Sequence, residues 1–266
     1  MSEAESGNTR GAMAEGTLIS HLLELRDRLI RAVVCLVLVF IPCAYYSNRL
    51  FTLLAHPLME KLPKGTSMVS TNLIAPFMTP IKLAALVALF ISMPYILYQV
   101  WAFIAPGLYK HERRFAIPLL FSSVVLFYCG AAFAYYFVFP VMFTFFAATT
   151  PAGVQLMPDM TQFLDFVSVL IFSFGAAFEI PVATVLLVAT GLVKISMLQN
   201  NRGYVLIGIS IIAAALTPPD AVSMILMAAP MYLLYELGII FCRVLLKDKL
   251  AEQAREEKEE SETASS

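Results

Sequence analysis

Apolar residues in this chain fall in long unbroken runs, not in the alternating or one-sided patterns of a soluble domain. Six runs, at roughly 33–46, 83–103, 115–146, 166–192, 204–216 and 222–242, are long or apolar enough to read as membrane-crossing helices. The predicted fold class is an all-α polytopic membrane protein of six transmembrane helices, whose even number puts both termini on one side. The third run exceeds the roughly 20 residues needed to cross, which predicts a tilted or projecting helix with Pro118 near its entry and Pro140 near its exit. The fifth run has about 13 residues, or ~20 Å of helix, roughly 10 Å less than a hydrocarbon core. It predicts local thinning of the membrane or shelter behind neighbours. Thr217-Pro218-Pro219-Asp220 then predicts a tight turn, because proline cannot continue the helix.

Composition agrees: 59% hydrophobic residues, 14% charged residues and a mean hydropathy of +0.78 exclude an ordinary soluble domain. Of the 18 basic residues, only Arg49, Lys61, Lys64 and Lys82 lie on the side facing away from the termini, all assigned to the first loop. The positive-inside rule therefore predicts cytoplasmic termini and, for a bacterial chain, the cytoplasmic (inner) membrane. The first apolar run follows some thirty residues and precedes no small-residue cleavage site, so it reads as a retained span. The domain organisation expected is a flexible N-terminus at 1–17, a membrane domain at 18–246 and a disordered, glutamate-rich tail at 247–266. Between the first two spans, Pro57, Pro63, Pro76 and Pro80 among apolar residues predict an ordered cap with a short interfacial helix near 50–55. Cys35, Cys43, Cys129 and Cys242 lie in apolar runs without paired spacing and read as buried structural thiols.

Three carboxylates carry the candidate chemistry. Glu24 sits in an amphipathic segment, 18–31, in which Leu18, Leu22, Leu25 and Leu29 recur at helical spacing opposite Glu24, Asp27, Arg28 and Arg31. This segment is expected at the cytoplasmic surface before the chain turns inward. The bland reading makes Glu24–Arg28 and Asp27–Arg31 ordinary i,i+4 pairs. Glu112 follows Trp101, Phe103, Pro106-Gly107 and Tyr109 and has Lys110, Arg113 and Arg114 beside it, so local neutralisation in a solvated loop is its bland role. Glu179 lies within the fourth run, where an acid costs on the order of 2.5–3.5 kcal/mol on insertion scales, so it is expected to face a cavity or a polar partner. Pro181, two residues on, removes a backbone donor to the Ala177 carbonyl and predicts a kink. Either the carboxyl satisfies that distorted backbone or it receives a polar group.

Ser20-His21-Leu22-Leu23-Glu24-Leu25-Arg26-Asp27-Arg28-Leu29, the stretch 99–114, Phe178-Glu179-Ile180-Pro181 and Leu216-Thr217-Pro218-Pro219-Asp220 together resemble the TatC family, the signal-receptor subunits of twin-arginine protein translocases. The resemblance runs from about residue 19 to 242 with the spacing of the six spans. It implies a cupped six-helix molecule that binds the twin-arginine signal peptides of folded cargo. Glu24 and Glu112 match the family's acidic residues that read the arginine pair, with Arg26 and Phe103 beside them. Pro57 matches an external-loop proline and Asp220 the acidic residue of the short external turn. Glu179 and Pro181 match a docking site for polar residues of partner helices. Met224 departs from members that carry a polar side chain there. The implied partners are TatA-like and TatB-like single-span subunits, with which the chain forms oligomers.

A proton- or cation-coupled transporter using Glu179 is the alternative, but a second broken helix in a matching half is missing. An intramembrane protease is disfavoured because His21, His56 and His111 all lie outside the apolar runs. Without metal, nucleic-acid or nucleotide motifs, the expectation is a non-enzymatic receptor without cofactor, drawing on the proton gradient through its partners.

Overall fold

Between Gly16 and Pro42 no glycine or proline interrupts the chain, and helix α1 runs unbroken over Glu3–Tyr45. The expected surface segment and first span are thus one helix with no turn between them. Breaking it inside an apolar environment would orphan backbone groups that nothing nearby could satisfy. The computed structural model describes residues 3–61, 69–104, 116–151, 157–217 and 220–247, with side chains in the first stretch from 22 to 54. All of the predicted tail at 247–266 except Lys247, together with the Pro218-Pro219 pair, Pro63 and the basic residues around 110–114, lies outside the described residues.

Helix α2, Ser47–Lys61, covers the predicted loop helix and extends it at both ends. Helix α3, Ala75–Ile104, begins eight residues before the predicted second span, so Lys82 lies inside a helix and not in the loop. Pro76 falls in its first turn, where a missing N–H leaves no intrahelical bond unmade. Asn72 starts this helix: its side-chain oxygen accepts from the Ile74 N–H at 3.2 Å and its carbonyl from the Ala75 N–H at 3.1 Å.

The chain divides into two units, the first comprising Met1–Pro57 and Pro80–Leu108. Its core joins Cys43 of α1 to Ala84 and Ala88 of α3, with Leu36, Val39, Phe40, Leu50 and Val87 packed around them. Small residues, Ala84 and Ala88, stand at the centre of this cluster on α3. Most of α1 otherwise presents apolar side chains outward, Leu38 at 64% and Ile41 at 62% exposure among them, as a lipid-facing span requires.

The second unit comprises Leu58–Thr79 and Tyr109–Ser266. Its elements are α4 (Ala116–Phe133), a π-helical turn (Ala134–Val138), α5 (Phe139–Thr149), α6 (Met160–Ala177), α7 (Ile180–Ala189), α8 (Ile195–Asn200), α9 (Arg202–Leu216) and α10 (Ala221–Leu245). α4, the π turn and α5 form one continuous third span, and α6 with α7 forms a fourth broken at Phe178–Glu179. The π turn ends where the predicted proline stands: Phe139 bonds back to the Ala134 carbonyl, and Pro140 has no N–H with which to resume the α ladder at once.

The main pairings here are α4 with α6 and α7 with α10. Both depend on a missing side chain. A Cβ on Gly130 of α4 would meet the Phe174 carbonyl oxygen at 2.5 Å, and one on Gly238 of α10 would meet the Pro181 Cα at 3.0 Å. Five helices are long and apolar enough to cross a membrane, and α9 supplies the sixth, shorter span. At fifteen residues it is slightly longer than predicted, ~22 Å of axis. The cysteine reading needs correction: Cys43 and Cys242 are buried, but Cys35 is only half-buried and Cys129 is exposed on the lipid-facing side of α4. In lipid, a thiol needs no burial inside protein to escape water.

Candidate functional site

Glu24 stands on α1 with its carboxylate held by Arg28, one turn on. The Arg28 Nε donates to Glu24 Oε1 at 3.0 Å, and Nη2 donates to the same oxygen. Oε2 accepts nothing among the described residues, and the side chain is 37% exposed. Arg26 pairs with its neighbour Asp27 at 2.9 Å, so the expected Asp27–Arg31 pair is replaced by Arg26–Asp27. The i,i+4 pairing of Glu24 is therefore real, but it engages only Oε1 of the carboxylate among the described residues.

Phe103 lies half-buried in the last turn of α3. Nineteen residues separate Glu24 from Cys43, and nineteen separate Phe103 from Ala84, the two residues that meet in the first unit's core. Each therefore lies ~28 Å of helix axis along its own helix from that contact. Glu24 and Arg26 stand on α1 and Phe103 at the end of α3, within the same unit. Glu112 lies outside the described residues, as does the side chain of Pro57, whose backbone belongs to α2.

Glu179 occupies the break between α6 and α7. Its N–H bonds to the Ala176 carbonyl at 3.1 Å, a tightened turn, and its own carbonyl accepts from Ala183 at 2.8 Å as α7 begins. Pro181 stands at the start of α7, so the kink lies where the sequence places it. The carboxylate is half-buried and receives a hydrogen bond from Ser123, which is wholly buried on α4. Its Oε1 is buried without a partner among the described residues. An orphaned carboxylate oxygen within a span is a costly acceptor that a donor from outside the chain would relieve. Aromatic rings wall the break: Phe133 contacts Phe174 at 5.6 Å and Phe178 at 5.7 Å between centroids.

Asp220 caps α10, its Oδ1 accepting from the Ser223 N–H at 2.7 Å. Asp220 Oδ2 and the Ser223 hydroxyl, both buried, have no partner among the described residues. The structure does not bring Glu179 and Asp220 into contact.

Two carboxylates that sequence reasoning passed over are also built in. Asp159 caps α6 through the N–H groups of Thr161 and Gln162 and also binds Thr71. The Thr71 hydroxyl first, then the Thr71, Gln162 and Thr161 N–H groups, hold its carboxyl down at about 2. The second is Glu236, inside α10, paired with Arg202 at the start of α9 at 2.9 Å. The visible signal was an acid within the last apolar run and an arginine just ahead of the fifth, but nothing in the one-dimensional pattern set them opposite one another.

The family model for "Sec-independent protein translocase protein (TatC)" matches residues 20–230. The chain is 51% identical over 245 residues to the Sec-independent protein translocase protein TatC of Haemophilus influenzae, covering 92% of this chain and 95% of that one. It is 49% identical over 226 residues to the TatC of Escherichia coli, covering 85% and 88%. A crystal structure of a twin arginine translocase receptor, TatC, superposes with a TM-score of 0.76 at 34% identity, covering 84% of this chain and 98% of that one. The transporter alternative finds no support among these relatives. By profile, sequence and fold, the chain belongs to the TatC family of Sec-independent protein translocase proteins.

Proposed function

We propose that this protein is the receptor subunit of a twin-arginine translocase in a bacterial inner membrane, with both termini cytoplasmic. It binds the signal peptide of folded cargo through Glu24 and Glu112 and carries out no catalysis itself. The observation that carries this reading is the part-exposed carboxylate of Glu24, one oxygen of which is engaged by Arg28. Oε2, which accepts nothing among the described residues, offers an acceptor edge for a guanidinium, while Arg28 restrains the rotamer. The neighbouring Leu22, Leu25 and Leu29 are all exposed and suit the apolar stretch that follows an arginine pair in a signal peptide. Arginine reads such a carboxylate through a two-point fork, whereas lysine keeps the charge and loses the geometry.

The second component is a docking site for the transmembrane helix of a single-span partner, TatA-like or TatB-like, at Glu179 and the exposed face of α9. Its support is the buried oxygen Oε1, without a partner among the described residues, beside the Pro181 kink, and a span of which only Ile209 and Ala213 are buried. The proton gradient is the proposed source of work, with oligomerisation through the TatB-like partner. A purified receptor should retain a peptide carrying the arginine pair and release it when both arginines become lysines. Equal retention of both peptides would reject the receptor assignment of Glu24 and Glu112.

A further inference from the structure

We infer that Arg202 and Glu236 are positioning residues that fix the height of the short span α9 against α10. They thereby decide which side chains of α9 meet the bilayer at a given depth. Among the fifteen residues of α9, only Ile209 and Ala213 are buried. Apolar faces gain nothing from leaving lipid, so a seam this narrow gives α9 little resistance to sliding along α10.

Polar contacts supply that resistance. The Arg202 Nη2 donates to Glu236 Oε2 at 2.9 Å, and the Tyr232 hydroxyl donates to Oε1 at 3.0 Å, so both oxygens of the carboxylate are engaged. Glu236 lies about nine residues, ~14 Å, inside the end of α10 and is 26% exposed. Separating the pair by one turn would leave a charge uncompensated within the span, which is far costlier than losing a surface ion pair. The Tyr235 hydroxyl adds a second hook, donating to the Leu198 carbonyl of α8 at 2.7 Å. At the far end, the Thr217 hydroxyl closes α9 onto the Ala213 carbonyl at 2.8 Å, and Asp220 opens α10. A span too short to find its own depth is therefore hung at a set height. Tyr204, Ile207 and Ile211, spaced three and four apart, stand exposed at 78%, 58% and 65%.

The consequence for assembly rests on the partner-docking reading above, whereas the height of α9 does not. The test replaces the four native cysteines with alanine and places a spin label at Ile207→Cys in lipid nanodiscs. Power saturation then reads its depth. Arg202→Ala and Glu236→Ala should each shift or broaden that depth by about one helical turn, 5 Å. The exchanged pair Arg202→Glu with Glu236→Arg should restore it. Glu236→Gln, which removes the charge but keeps one acceptor oxygen for Arg202 or Tyr232, should lie between. Should Glu236→Ala fail to accumulate, Arg202→Gln removes the charge from the more exposed partner. An unchanged depth in the single variants, or an exchanged pair displaced as far as they are, overturns the inference. In parallel, a photocrosslinker at Ile211 reports capture of single-span partners. If depth moves and recovers while capture never occurs, the positioning role stands and the partner reading falls.

Discussion

Asp159 accepts hydrogen bonds from both the N–H and the hydroxyl of Thr71, at 3.0 and 2.7 Å, across 88 residues of sequence. The same segments are stitched by Val69 N–H to Pro158 carbonyl at 3.1 Å and Met160 N–H to Val69 carbonyl at 2.9 Å. Thr79 and Thr161 add a hydroxyl pair at 3.1 Å. One carboxylate thus caps a membrane helix and fastens the loop that precedes α3, all within the second unit.

The pH dependence of this clasp follows from its direction of shift. The carboxyl is held at about 2, below its ordinary 3.8. A depressed carboxylate contributes stability that is complete above 3.8 and is lost as pH falls through about 2. Amide exchange at Thr71 and Thr161, normalised to intrinsic rates, should be flat from pH 7 to 5 and rise only below about 3. Asp159→Ala should speed it roughly five- to tenfold above about pH 4, the difference from the unaltered protein fading as pH falls through about 2. Loss of protection already at pH 5 in the unaltered protein would contradict the clasp.

Close packing at Gly130 predicts a selective cost. Gly130→Ala drives a methyl into the Phe174 carbonyl and the Phe178 ring, and should destabilise by about 1–3 kcal/mol, read as a lower melting temperature in detergent. Gly208→Ala, where an added Cβ meets nothing within 4 Å, should leave it unchanged or raise it slightly through helix propensity. Equal effects at the two glycines would show that α4 and α6 are not held at this spacing.

For the break in the fourth span, Glu179→Ala should abolish crosslinking of single-span partners from adjacent positions and reduce export. Glu179→Gln should retain part of both, because the amide still presents an acceptor toward a partner donor. Crosslinking and export both unchanged in Glu179→Ala would make the carboxyl purely structural.

The proposed topology is tested at Met157, exposed just ahead of the clasp. In a background lacking native cysteines, Met157→Cys should react with an impermeant thiol reagent from outside intact cells, and a cysteine at Ser265 should not. Labelling of both from outside would refute the six-span arrangement with cytoplasmic termini.

The spans were legible because an apolar run of membrane length has few other fates, and the break at Glu179–Pro181 because proline removes a named donor. The start of α3 was not, since prolines in a first helical turn look the same in sequence as prolines in a loop. The π turn escaped for a related reason: Pro140 announces a perturbed helix without saying how the ladder accommodates it. Asp159 and Glu236 were missed because their partners, Thr71 and Arg202, are distant in sequence, and a contact across 88 or 34 residues leaves no periodic trace. Glu24 was legible as a charge on a helix face, but which of its oxygens Arg28 takes was not.

The receptor account stands or falls on arginine recognition at Glu24 and Glu112. Each carboxylate lost removes a charge-assisted pair of about 1.5–3 kcal/mol, or roughly ten- to a hundredfold in affinity. The decisive measurement is photocrosslinking of a labelled twin-arginine signal peptide to membranes bearing Glu24→Ala, Glu112→Ala or both, with membrane levels of each variant matched. The account predicts reduced crosslinking in each single variant, stronger loss in Glu112→Lys through repulsion, and near-complete loss in the double variant. Undiminished, arginine-dependent crosslinking in the double variant would contradict it.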